Sequence, residues 1–439
     1  MYLHTIILVQ QITVKRLRGI QDKIVEGRSL EDGRGKHTNR KIIATEEVKA
    51  LMYAHLLKIP SRKSHYTRSK MRYFTNPNLT VKKLYFLFRE YYREKKGEAL
   101  RMTIKHYYKL FQRVKFAVAS PLSDQCNVCE TLRIKLVKNP TDNHARTMKR
   151  LHRHKYKRYQ SLKREILKNI PADTLCLEFD YAQNLPLPSL TINKQFYLRL
   201  LWFHNINIHS HHDKDSSFYT FYEYEAKKDA NSVVSFVNHF LTQKGVFEEG
   251  SQIKKLIFFS DNAGGQNKNS TFIQYCGWIS KVYGLQIEHI FPVPGHSFSI
   301  CDSNFGTYGA KARKLAPVTS SRPYLDLFRS ARIRPKPFNV INDPSIISDY
   351  ASMFQKSGLF CDRPKTFKIR SYVRFRFANG VLSASPSYFG TYKPFQIVRR
   401  ICTRKQFPNI TPTPPGLKVK KAKDILSLLP FVENEDDVA

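Results

Sequence analysis

Residues 175–188, LCLEFDYAQNLPLP, decide how this chain folds. Apolar and aromatic residues build a strand, and Asp180 interrupts it where an unpaired carboxylate would cost several kcal/mol of lost hydration. The same grammar returns in residues 254–261, KKLIFFSD, where Asp261 closes an apolar run ahead of the turn NAGGQNKN. Between them, residues 195–209 (QFYLRLLWFHNINIH) and 217–226 (SFYTFYEYEA) read as a second and a third strand. The polar stretch HSHHDKD that joins these two is a hairpin tip, which accounts for His209, His211 and His212 without a ligand role. Residues 229–245 carry a helical period with Asp229 as cap, residues 270–284 a second helix and residues 285–294 a further strand. A last helix begins near Asp302, after PGHSFSIC.

Three strands, helix, strand, helix, strand and helix is the succession of the ribonuclease H-like fold, an α/β mixed sheet with helices, here spanning residues 171–316. In such a sheet the first and fourth strands are neighbours, so Asp180 and Asp261 converge and the helix start brings Asp302 to them. An acidic cluster of this kind holds two Mg2+ or Mn2+ ions about 3.5–4 Å apart, one activating water or a 3'-hydroxyl and the other supporting the leaving oxygen. Each acid also has a local explanation: a solvated strand residue, an Asx turn before NAGG, and a helix cap. His296 is a candidate for orienting water or touching phosphate, and Asn267 for fixing the turn beside the metals, unless both serve as turn or cap residues. Gly264 and Gly265 let that turn form, and neither Walker A nor GxGxxG is matched.

The charge frames this core. The chain has 439 residues, 74 Lys and Arg against 35 Asp and Glu, 41% hydrophobic and 13% aromatic residues, so it is globular and suited to a polyanionic partner. Residues 1–170 hold 40 basic and 13 acidic side chains, while residues 171–316 hold 13 of each, which places nucleic-acid binding on the arms and chemistry in the middle. Residues 1–120 read as a basic all-α region whose aromatic stripe Tyr85, Phe88 and Tyr92 is core. Its loop IPSRKSHYTRSKMRYF offers Arg62, Lys63, Arg68, Lys70 and Arg72 to phosphates. Residues 121–170 carry Cys126 and Cys129 followed by His152 and His154 on a basic helix. That is a loose spacing for one structural Zn2+, set against ordinary buried thiols and solvated histidines. Residues 317–439 read as a small basic α+β region with an acidic tail, in which Arg370, Arg374 and Arg376 form an edge for a nucleic-acid backbone or an ordinary amphipathic strand. Seven scattered cysteines argue against a disulfide framework, and the apolar opening MYLHTIILVQQ is too short for a bilayer. An intracellular protein is expected.

FDYAQNLPLP, FFSDNAGGQNKN and GHSFSICDSNFG, with RGKHTNR, SHYTR and CNVC upstream, resemble an uncharacterised transposon-derived family of animal genomes with a ribonuclease H-like core. The resemblance spans most of the chain. It implies a transposase-derived DNA-binding protein, nuclear, with Asp180, Asp261 and Asp302 as the acidic triad for metal-dependent cleavage or strand transfer. It also implies Cys126 and Cys129 as part of a small metal knuckle. Relatives often place Glu shortly after the FG, where this chain has Gly309. A domesticated, inactive nucleic-acid-binding protein is the alternative that this departure implies.

Overall fold

The computed structural model describes residues 13–31, 45–63, 71–76, 78–118, 126–315, 317–361, 367–399 and 410–432. The chain divides into two compact units, Met1–Leu122 and Ser123–Ala439.

The first unit holds helices α1 (Val14–Val25), α2 (Glu46–Lys58), α3 (Val81–Lys96) and α4 (Ile104–Phe111). Threonines start the last three: Thr45 accepts from the amide of Val48, Thr80 from Lys83 and Thr103 from His106, satisfying amides that have no partner in the first turn. Helical spacing sets Val48, Met52 and Leu56 against Leu84, Phe88 and Tyr107, so the aromatic stripe is core. The unit is not all-α. Short strands β1 (Ser61–Lys63), β2 (Arg72–Phe74) and β3 (Phe116–Ala117) form a small sheet, because the two ends of the basic loop pair with each other and buried Phe74 stacks on Phe116 at 5.4 Å.

The second unit opens with α5 (Asn127–Lys138) and α6 (Asn143–Lys168) and continues as a mixed α/β body. Its strands are β4 (Thr174–Tyr181), β5 (Leu185–Leu187), β6 (Leu201–Ser210), β7 (Ser216–Tyr222), β8 (Lys255–Phe259), β9 (Gln286–Ile290), β10 (Asn339–Ile341), β11 (Arg374–Ala378), β12 (Val381–Ser385) and β13 (Lys393–Gln396). They form one ten-stranded sheet in the order β10-β7-β6-β4-β8-β9-β11-β12-β13, with β5 beside β6. β4 runs antiparallel to β6 and parallel to β8, and β8 runs parallel to β9.

Side chains alternate across a strand, so Leu175, Leu177, Phe179 and Tyr181 face one side of the sheet. There α7 (Ala230–Gln243) and α8 (Ser270–Val282) cover them with Val233, Phe236, Phe272 and Ile279. Cys176, Glu178 and Asp180 face the other side, which α6 covers with Tyr159 and Leu162 against Cys176, Ile257 and Phe259. On that side α9 (Ile300–Ala312) and α10 (Arg322–Ser330) pack through Tyr308, Tyr324 and Phe328 onto Phe203 and Phe218.

Two expectations change. The second strand begins at Leu201, since Asn193–Tyr197 is a 3-10 turn that leaves Phe196 and Tyr197 exposed; their aromatic character mimicked a strand without burial to support one. Residues 317–439 do not pack as a separate α+β body. β10 extends the sheet at β7 and β11 extends it at β9, because strands left open at both edges need partners for their backbone groups. Two helices complete the unit, α11 (Tyr350–Ser357) and α12 (Val419–Leu426). Among the described residues no helix is long and apolar enough to cross a membrane.

Candidate functional site

The face of β4 that carries Glu178 and Asp180 is the polar face. Continuing the parallel register that pairs Glu178 with Phe259 sets Asp180 level with Asp261, and neighbouring residues of parallel strands point the same way. Asp180 Oδ1 accepts from the amide of Tyr181 at 2.8 Å. Asp261 Oδ1 accepts from the amide of Ala263 at 3.0 Å and from Asn267 Nδ2 at 2.6 Å, so Asn267, buried beneath the turn, does hold the aspartate that precedes it. α9 is seated against β4 by Cys301, whose thiol reaches the Glu178 carbonyl at 3.3 Å, which brings Asp302 over the same strand. The helix cap is Ser299. Asp302 sits three residues on and completes a capping box, accepting from the Ser299 amide at 2.8 Å.

Asp180 feels the other two carboxylates. Burial raises the Asp180 carboxyl well above the ordinary carboxylate range, and the charges of Asp261 and Asp302 raise it further. Burial also raises Asp302, against the hydrogen bonds from Ser299. Lys228, which the sequence did not single out, is the nearby cation. Its Nζ donates to the Ala182 carbonyl at 3.1 Å and Asn184 Oδ1 at 3.2 Å and lies over the Tyr181 ring; burial lowers its affinity for a proton, and the charges of Asp180 and Asp261 offset only part of that. Asp302 and Gly309, two turns apart on α9, line one cleft of about 880 Å³ with Asn184 and Arg313. Nothing lies within 4 Å of the position a Gly309 Cβ would take.

Behind Asp180, Glu178 is buried and paired with buried Lys163 of α6, and its Oε2 meets His211 Nε2 at 2.9 Å. Burial opposes its charge, but Lys163 and His211 outweigh it and hold the carboxyl at about 2. His211 is thus part of a buried network rather than a free hairpin tip.

A second constellation joins α5, α6 and the loop after β9. Cys126 Sγ, Cys129 Sγ, His152 Nε2 and His296 Nε2 all lie within 4.8 Å of one another, and no other set of three or more potential ligands does so among the described residues. Cys126 to His152 is 3.3 Å, Cys129 to His296 is 3.5 Å, and His152 to His296 is 3.0 Å. A tetrahedral Zn2+ with bonds of about 2.3 Å to sulfur and 2.0–2.1 Å to nitrogen has edges of about 3.3–3.8 Å; the quoted separations lie within or a few tenths of an ångström below that range, so this donor set could hold a metal such as zinc. Gly295 makes the site compact. At its φ of +76° a Cβ would stand 2.8 Å from Cys126 Sγ, so only glycine lets the loop approach the thiols. Burial, with Cys126 beside it, pushes the Cys129 thiol up to about 11, and a bound cation would have to displace that proton.

The cluster corrects two expectations. His154 is exposed and is not a ligand, since residues two apart on a helix point about 200° apart and cannot face one centre. His296 takes its place, 167 residues from Cys129, and its Nε2, rather than orienting water, is turned to Cys129 and His152. No protein-family model matches the chain, and no curated protein matches it. The reading therefore rests on these residues and the order of the strands.

The basic candidates divide. Arg72 Nε donates to Ser61 Oγ at 2.9 Å across the β1–β2 pair, β1 includes the backbone of Arg62 and Lys63, and Arg68 and Lys70 lie outside the described residues. Arg374 is buried and paired with Glu288, and Arg376 Nε reaches the same carboxylate at 3.2 Å. These two arginines are bound into the sheet and do not form a free edge for phosphates.

Proposed function

We propose that the chain is a transposase-derived, DNA-binding protein of the nucleus whose ribonuclease H-like core cleaves or joins phosphodiester bonds with two Mg2+ or Mn2+ ions held by Asp180, Asp261 and Asp302. The observation that carries this reading is positional. In the run β7-β6-β4-β8-β9, the third, second, first, fourth and fifth strands of the core lie in that order, which makes the first and fourth strands parallel neighbours, with Asp180 on the one and Asp261 two residues beyond the end of the other. Asp302 comes to them from α9.

A buried acid such as Asp180, whose affinity for a proton is raised by burial and by the charges of Asp261 and Asp302, is one a divalent cation would relieve. In this scheme Asn267 fixes Asp261, Lys228 lies close enough to offset charge on an entering phosphate, and the Cys2His2 set pins α6 to the loop leading into α9 as a structural Zn2+ site. The test is a nicking and strand-joining assay with Mn2+. Wild type should act on DNA, and Asp180→Asn and Asp261→Asn should not.

One observation favours the inactive, DNA-binding alternative. The three carboxylates do not come within 4.8 Å of one another as the Cys2His2 donors do, Asp302 is engaged in a capping box, and Gly309 offers the cleft no fourth carboxylate. Binding without cleavage, unchanged in both variants, is the outcome that reading requires.

A further inference from the structure

Beside the Cys2His2 set lies a cavity of about 610 Å³ that the reaction above does not use. Four cations line it, Lys155 and Arg158 from α6, Lys268 from the turn after β8, and Arg370, and no acidic residue does. Among the described residues none of the four takes part in an ion pair. Three of them are exposed, but Lys268 is only 7% exposed. Its Nζ donates to the neutral Asn262 side chain at 2.8 Å and lies 4.8 Å from the centre of the Phe291 ring, which leaves a buried ammonium without a counter-charge. Burial alone lowers it to about 8. A desolvated cation of this kind is stable only if an anion arrives or the proton leaves. The lining also carries aromatic rings. Tyr388 lines the cavity, and Phe389, 45% exposed, stands at its wall beneath the Arg158 guanidinium at 4.2 Å.

We propose that this cavity binds one phosphorylated nucleotide, its phosphate held by Lys268 with Lys155, Arg158 and Arg370, and its base stacked against Phe389. Cations without acids select the phosphate, and an exposed aromatic face accepts any base. The site is next to the proposed reaction centre, since Asn262 follows Asp261 directly and lines the cavity. The inference rests on the nucleic-acid reading above but not on cleavage.

The experiment uses the full chain without added Mg2+ or Mn2+, and titrates three probes by calorimetry: a short single-stranded oligonucleotide with a 5'-phosphate, the same strand without it, and adenosine monophosphate. The phosphorylated strand should bind more tightly than the bare one. Lys268→Met, which fills the same space without charge, should abolish that difference, a loss of about tenfold or more. Phe389→Ala should weaken both strands by about tenfold. If adenosine monophosphate alone shows the Lys268 dependence, the site stands and its ligand is a free nucleotide. If Lys268→Met folds, by its circular dichroism, and binds all three probes as wild type does, the proposal is overturned. Cleavage is read separately by nicking with Mn2+, so loss of cleavage with the Lys268-dependent difference retained, or the reverse, separates failure of the cleavage reading from failure of this one.

Discussion

Replacing Gly295 by alanine tests the Cys2His2 site through its narrowest contact. The added Cβ would lie 2.8 Å from Cys126 Sγ, 3.0 Å from its Cβ and 3.2 Å from its Cα, and the last of these is backbone that cannot turn aside. The left-handed φ of +76° adds about 1–2 kcal/mol for any residue with a Cβ, and forcing an extra methyl into a packed site adds about 1–3 kcal/mol. Together these give a loss of about 2–5 kcal/mol, or roughly 3–8 °C in Tm for a body of this size. Metal binding should suffer as well, because ligand distances are tolerated only within about 0.2 Å and Cys126 must move to admit the methyl.

The assay is calorimetric melting together with zinc content by mass spectrometry, with Gly309→Ala as the control. No atom lies within 4 Å of that Cβ and the site is helical, so the control should gain about 0.5–1 kcal/mol and keep its metal. Gly295→Ala protein with unchanged Tm and full zinc content would refute the reasoning.

Three other outcomes follow from the acids. Glu178→Gln should destabilise the fold by about 3–5 kcal/mol, because Lys163 is left buried and unpaired. Since Glu178 is held at about 2 against an ordinary 4.5, its contribution is present above the ordinary value and lost as pH falls toward 2, visible as an acid limb in wild type that the variant lacks. Asp180 has the opposite sign. Its raised affinity for a proton favours the fold at low pH and is lost as pH rises, so Asp180→Asn without metal should melt higher than wild type at neutral pH, while Mn2+ should stabilise only wild type and more strongly as pH rises. If Asp302 is a ligand rather than only a cap partner, Asp302→Asn should weaken Mn2+ binding about tenfold or more with the fold intact, and Gly309→Glu, whose side chain has open space in the cleft, should strengthen it; isothermal titration reads both.

Much of the core was legible because its signals are local. The apolar runs LCLEFD and KLIFFSD form adjacent parallel strands, with Asp180 on the first and Asp261 just past the end of the second, and the apolar runs are enough to see both strands. Asp229, the cap of α7, was equally local. What the sequence hid depends on distant pairing. His296 meets Cys129 across 167 residues, and no spacing rule reaches that far. The helix phase that turns His154 outward could have been applied, since two residues on one helix cannot share a face with a single centre. Arg374 looked like part of a basic edge because its partner Glu288 lies 86 residues earlier on a strand that becomes its neighbour only after folding. Lys228 escaped notice for the same reason, as its relation to Asp180 and Asp261 exists only in the folded sheet.

The most direct test of the central claim is the number of Mn2+ ions bound at the aspartates, read by electron paramagnetic resonance on zinc-loaded protein in the presence of DNA. Wild type should show two spin-coupled ions, and Asp180→Asn and Asp261→Asn should lose the coupled signal with zinc content unchanged. Identical Mn2+ binding by wild type and both variants would contradict that claim and leave a DNA-binding protein whose acids are relics.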